Sequence, residues 1–191
     1  HVGKSTEDSQ EWLTIAFDCM YNDQVLFDAM SSEVNKPANC FEAPCMYGPK
    51  EGTLKCVLLT TDNKMALRAA NAAGKDVTII QGDKEGHHTV IILKPGIGRN
   101  LDDVMAMLRW MESPLQVRNR LKWRDLTVAG THESAPIWFY NDQIGQIFNG
   151  SDTHPDVPPT RIGASVIRDT VANGFLYKRL VAWKKSRGIY A

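Results

Sequence analysis

The sequence predicts an α/β or α+β domain in which a central mixed sheet is flanked by helices. Three observations carry that expectation. Short apolar runs rich in β-branched residues recur as LKCVLLTT (54–61), DVTIIQ (76–81) and HTVIIL (88–93). Between and around them stand segments with apolar residues at helical spacing, and glycine- and proline-rich stretches punctuate the joins. At 191 residues and 43% hydrophobic content, the chain suffices for one domain, residues 1–191, with a proper core.

Taken in order, residues 11–30 (EWLTIAFDCMYNDQVLFDAM) place Trp12, Ile15, Ala16, Cys19, Leu26 and Phe27 on one helical stripe. Asn22-Asp23 interrupts that stripe, and Ser5 or Thr6 followed by Asp8 can cap its start. Pro37, Pro44, Gly48, Pro49 and Gly52 make residues 31–53 irregular. After the strand 54–61, MALRAANAA (65–73) is a short helix ended by Gly74. DVTIIQ and HTVIIL pair around the turn 82–86 (GDKEG). The loop Pro95-Gly96-Ile97-Gly98 delivers the chain to Asn100, a good N-cap for a helix over 101–112. DLTVAGT (125–131) and APIWFYN (135–141) read as adjacent strands, with QIGQIF (143–148) as an extension. A polar, proline-rich loop follows over 149–159, and residues 160–187 close the chain as an amphipathic helix or helix pair.

Formal net charge is zero, yet its distribution is polarised. Residues 1–60 hold nine acids and four bases, residues 61–107 six of each, and residues 108–191 seven acids and twelve bases. Such polarity favours contacts with partners, nucleic acid among them, over a small neutral substrate; a solvated helix face accounts for it equally well. The four cysteines stand at 19, 40, 45 and 56. Cys19 and Cys56 fall inside helix and strand patterns, where a thiol acts as a small buried hydrophobe. Cys40-x4-Cys45 lies at the edge of zinc-site spacings and lacks a second ligand pair. No signal peptide is read, a reduced intracellular setting is expected, and no apolar run approaches the ~20 residues that span a bilayer.

Chemistry-bearing motifs are sparse. His87-His88-Thr89 and His132-Glu133-Ser134 both fit the H-x-(T/S) pattern of a two-histidine phosphodiesterase. Their middle residues are polar where an apolar one is wanted, and exposed turn histidines are the preferred reading. Cys45 with His87 or His88 would be a cysteine-protease pair only if the thiol sat at a helix N-terminus, whereas it stands in the proline-containing stretch. Gly96-Ile97-Gly98 lacks the third glycine of a phosphate loop. Arg118, Arg120, Lys122 and Arg124, and the tail bases Lys178, Arg179, Lys184, Lys185 and Arg187 beside Trp183, are candidate contacts for RNA or a protein partner. A helix C-terminus also attracts Lys and Arg through its dipole with no ligand.

A set of segments spread along the chain points to a family: EDSQEWLTIAFDCM, GTLKCVLLTTD, VIILKPGIGRNLDDVMAMLRWM, HPDVPPTRIG and KRLVAWKKSRGIY. In order and spacing they resemble the N-terminal endonuclease-like domain of the polymerase acidic protein of orthomyxoviruses, nearest the thogotovirus branch. The resemblance implies a nuclease fold of the PD-(D/E)xK type in the N-terminal part of a longer polymerase subunit. In influenza viruses this domain clips capped host transcripts. It does so with a His, several carboxylates holding two divalent ions, and a Lys, because two hard cations need several anionic oxygens.

Laid over that pattern, the strand acid before the helix falls at Leu93 or Lys94, and the loop acid at Leu115-Gln116. The strand Glu falls at Thr127, the lysine near Asp142 and the helical His near Phe41-Glu42. Each position lacks its ligand. Asp102 and Asp103 are explained by helix capping, Glu133 flanks the strand 125–131, and Asp125 shares the strand face of Thr127 as the best stray ligand. The resemblance therefore implies a domain without catalytic residues, metal or cofactor. It would have an architectural role beside the two basic polymerase proteins, near viral RNA, in the host nucleus and the virion ribonucleoprotein. An active metal-dependent cap-snatching nuclease with unusual ligands, and a non-catalytic RNA-binding module, remain the alternatives.

Overall fold

A computed structural model of the chain describes residues 3–47, 49–82, 88–150 and 156–189. Seven helices and six strands alternate in it: α1 (Gly3–Val34), β1 (Cys40–Tyr47), β2 (Lys50–Thr60), α2 (Ala66–Ala72), β3 (Val77–Gln81), β4 (Thr89–Leu93), α3 (Asp102–Glu112), α4 (Leu115–Arg118), α5 (Trp123–Leu126), β5 (Trp138–Asn141), β6 (Gln146–Asn149), α6 (Ala164–Gly174) and α7 (Tyr177–Ser186). The strands form one sheet in the order β1-β2-β3-β4-β6-β5. β2 and β3 run parallel, joined through α2, and the other neighbours are antiparallel. The sheet is thus mixed and flanked by helices, as the sequence predicts.

Alternation along the strands supplies both faces with apolar side chains. Leu54, Cys56, Val77, Ile79, Ile91 and Leu93 join residues of α3 and α6 in the larger core. Val57 and Leu59 turn the other way, onto Met30 and Val34 of α1 and the alanines of α2. Gly174 is obligatory where α6 crosses α3, since a Cβ there would come 2.5 Å from a Val104 methyl. No helix among the described residues is long and apolar enough to cross a membrane.

Four expectations need correction. The first helix is unbroken at Asn22-Asp23 and already running at residues 5 and 6. Asp23 is held in it by an ion pair with Lys64 of the 61–65 turn (2.6 Å), so its carboxylate does not compete for the helix backbone. Its apolar stripe is buried only at Met30 and Val34; Trp12, Ile15 and Cys19 overhang the sheet and are exposed.

Within the stretch 31–53 expected to be irregular, residues 40–47 form β1 and 50–53 begin β2, so that β1 and the expected strand at 54–61 make an antiparallel pair. Pro44 is tolerated because β1 is the edge strand, where a missing N–H leaves no ladder bond unmade.

The third correction is DLTVAGT, which is not a strand. Its residues form α5 and a loop whose carbonyls are claimed by a buried guanidinium. Arg109 Nη1 donates to Leu126 O (3.0 Å) and Val128 O (2.7 Å), and Nη2 donates to Gly130 O. Only Gly130 touches the sheet, as an isolated bridge to Tyr140. The second strand of that region is β6, so the hairpin is β5–β6. Asn100 also differs from expectation. It leaves the first backbone turn of α3 uncapped and donates its amide to Asp102 Oδ2 (2.7 Å).

Candidate functional site

The positions matched to the nuclease pattern lie on β1, at the end of β4, on α4, just after α5 and in the β5–β6 turn, and the acids Asp102 and Asp103 open α3. Leu93 ends β4 fully packed, and Lys94 beyond it is exposed. At the start of α3 the two carboxylates are committed to aromatic donors. Tyr140 donates its hydroxyl to Asp102 Oδ1 (2.6 Å) while accepting the Leu101 N–H (3.2 Å). Trp123 donates its indole N–H to Asp103 Oδ1 (2.7 Å). The Tyr140 hydroxyl is pushed above its ordinary range, first by burial and then by its bond to Asp102. Both acids also sit in the first turn of a helix, where negative charge is favoured.

The remaining matched positions are dispersed. Gln116 is exposed on the short α4. Thr127 ends α5, its hydroxyl donating to Arg124 O (2.8 Å), and is not on a strand. Asp125 lies exposed in α5 and shares no strand face with it, so the basis for a stray ligand there is lost. The strand that does follow α3 is β5, and it offers Trp138, Phe139, Tyr140 and Asn141 with no carboxylate. Asp142 is exposed in the β5–β6 turn, and Glu133 is exposed in the loop before β5. Phe41 and Glu42 lie on β1, not on a helix, and the Phe41 ring stacks under the Arg168 guanidinium, 5.0 Å away. Among the described residues, no group of three His, Cys, Asp or Glu is placed to hold a metal ion.

His87 lies outside the described residues. The His88 ring packs so closely on Gly150 that a Cβ there would come 2.2 Å from its Nδ1. His132 Nδ1 instead meets the hydroxyl (2.7 Å) and backbone N–H (3.2 Å) of Ser134. Ser134 also contacts the Ser113 hydroxyl (3.0 Å) at the rim of a cleft of about 580 Å³, between α3 and the 158–162 segment. Glu112 closes one side of that cleft, accepting from the Thr160 hydroxyl and from the Arg161 N–H (2.9 Å). Sequence reasoning missed this cleft, because its walls come from three separate segments.

Cys45 is buried on β1, not at a helix N-terminus, and Cys56 is buried on β2. Burial pushes the Cys56 thiol up to about 12, aided by the charge of Asp76. Cys40 donates to Val34 O (3.2 Å) and receives the Lys75 ammonium (3.2 Å). All four cysteines are free.

The most concentrated chemistry lies on the outer side of α3. Trp183 of α7 meets Trp110 of α3 edge-on (centroids 5.7 Å apart) and Trp123 of α5 (6.2 Å). A cation stands on each ring: Arg118 over Trp110 (4.9 Å), Lys184 over Trp123 (3.8 Å) and Arg187 over Trp183 (4.2 Å). Arg118 is further fixed by donating to Ser113 O (2.8 Å) and Met111 O. Burial lowers the ordinary pKa of both Lys184 and Arg187, and Asp103 partly offsets this for Lys184.

The fold thus joins the two basic segments that the sequence separates by some sixty residues. Arg120, Lys122, Arg124 and Lys185, close in sequence to the stacked cations, are exposed, and Arg179 is exposed on α7. Lys178 is apart from them, paired with Glu51 of β2. A cleft of about 350 Å³ opens between Trp110, Arg118 and the Gly188-Ile189 end of the chain. Compared with known protein families, curated proteins and solved structures, the chain matches none.

Proposed function

We propose that this chain is a PD-(D/E)xK-like domain of an orthomyxoviral polymerase acidic protein, with the nuclease chemistry replaced by structure. Its role is architectural. It packs against the two basic polymerase proteins within the heterotrimer, in the host nucleus and in the virion ribonucleoprotein.

The observation that supports this reading is the fate of the acids at the start of α3. Asp102 and Asp103 open the helix that follows β4, and one oxygen of each accepts from an aromatic hydrogen-bond donor. A two-metal centre needs several free anionic oxygens converging on one point. Here the strand beyond the helix supplies an indole and a phenol in their place. The overhanging apolar part of α1, with Trp12 71% and Phe17 67% exposed, is the kind of surface that subunit packing covers.

The test is a thermal-shift titration with Mn²⁺, run beside a cleavage assay on single-stranded RNA. The reading expects a flat melting temperature and intact RNA. A metal-dependent rise that disappears in Asp102→Asn, or any metal-dependent cutting, overturns it.

A further inference from the structure

The cationic tryptophan cluster carries a second inference, which does not depend on the nuclease-like reading. We propose that the outer face of α3, α5 and α7 binds single-stranded nucleic acid, with phosphates on Arg120, Lys122, Arg124 and Lys185 and a base in the cleft beside Trp110.

The geometry has the two components such binding requires. Sequence-tolerant recognition of single strands combines a cationic track for the backbone with aromatic surfaces for the bases. Here buried Trp183 joins Trp110 and Trp123 from two other helices, each ring carries a cation, and Trp110 is the tryptophan that lines the open cleft. Lys184 and Arg187 are already partly desolvated, a cost that a bound anion offsets.

Around them Arg120, Lys122, Arg124 and Lys185 make no ion pair among the described residues. Lys36, Lys64 and Lys178 each have a carboxylate partner. Fixing α7 to α3 accounts for the stacked trio; it does not require the further exposed bases at Arg120, Lys122, Arg124 and Lys185, each within a few residues of the trio along the chain. The cleft, walled by Trp110 and about 350 Å³ in volume, falls within the range of ligand pockets.

The experiment is a fluorescence-anisotropy titration of the whole chain with labelled oligouridylate and oligodeoxythymidylate of about twelve nucleotides. Tryptophan quenching is read on the same samples. Binding should weaken with salt at a log–log slope of about −0.7 for each phosphate engaged, giving about −3 for four contacts. Arg120→Glu/Lys122→Glu/Arg124→Glu should weaken binding at least about tenfold and flatten that slope by about two. The neutral Arg120→Gln/Lys122→Gln/Arg124→Gln variant should give an intermediate loss, and it keeps the test decisive if the acidic variant fails to fold. The control Lys36→Glu/Lys50→Glu/Lys64→Glu carries the same charge change elsewhere and should bind within about twofold of the parent after its general field effect. A tighter RNA arm identifies RNA as the strand, and a tighter DNA arm identifies DNA. No binding at low salt overturns the proposal. So does an equal loss in the control, or displacement by polyglutamate at matched charge.

Discussion

The Tyr140 hydroxyl lies 2.6 Å from Asp102 Oδ1 and receives the Leu101 N–H on its other side, tying strand β5 to the first turn of α3. A phenol that both donates and accepts here ties down a helix start that has no side-chain cap. Tyr140→Phe should therefore leave a carboxylate oxygen and a backbone N–H unpaired, at a cost of about 1–3 kcal/mol. Urea denaturation measures it. A Phe variant as stable as the parent means that water replaces the phenol at no cost.

Arg109 offers the second prediction. Its fully buried guanidinium donates to Leu126, Val128 and Gly130 carbonyls and holds the 126–130 loop against α3. Burial lowers its pKa to about 10, so the group remains charged at neutral pH. Arg109→Met keeps the stem volume but orphans three carbonyls, and should destabilise by about 3 kcal/mol or more. The loss should be local first. Hydrogen exchange at the Gly130 and Tyr140 amides, which pair with each other's carbonyls, should accelerate before that in β2 and β3.

These two residues also mark the limit of what the sequence reveals. The strands β2, β3 and β4 and the helices α2, α3, α6 and α7 are legible because their apolar periodicity is local. DLTVAGT has the composition of a strand, but its backbone partners are fixed by Arg109, seventeen residues away, a tertiary contact that overrides propensity. The β1–β2 hairpin hides behind Pro44, which signals a break unless the strand is known to be an edge. For the candidate site, the basic residues were readable one by one. Their convergence was not, since it depends on Trp183 reaching α3 and α5 from the far end of the chain.

Stability should fall on the alkaline side of pH 9. Cys56 stays neutral in the fold up to about 12, against an ordinary 9.0, so only the unfolded chain releases that proton above pH 9. The thiol's contribution is fully present below pH 9 and is lost as pH rises beyond it. Tyr140, also raised, adds the same sign above pH 10, whereas Arg109, lowered to about 10, acts in the opposite sense from there upward. The clean window is between pH 8 and about 10, read from urea midpoints. Cys56→Ala should flatten the slope there whatever its effect on absolute stability.

Thiol chemistry should follow burial. Cys19 on the overhanging helix is exposed and should react with a disulfide reagent as fast as a free thiol. Cys45 and Cys56 are buried and should react only at the rate of global unfolding. Cys40, half-buried against Val34 O, falls between them. Fast labelling of Cys56 in the native state would mean that β2 opens locally.

The last prediction separates the two ends of α1. Met30 is 3% exposed and packs with Val34 on β2 and α2, so Met30→Ala should cost about 2–5 kcal/mol. Trp12 and Phe17, at 71% and 67% exposure, touch too little to matter for folding, and Trp12→Gln with Phe17→Gln should change stability by less than about 0.5 kcal/mol each. The same double variant should reduce binding of a hydrophobic dye and, on the proposed architectural reading, weaken co-purification with the basic polymerase proteins, because the surface it removes is apolar and exposed. If Trp12→Gln and Phe17→Gln destabilise the isolated chain as Met30→Ala does, the stripe folds back onto the domain in solution. α1 then belongs to the core along its whole length, and the architectural reading loses its docking surface.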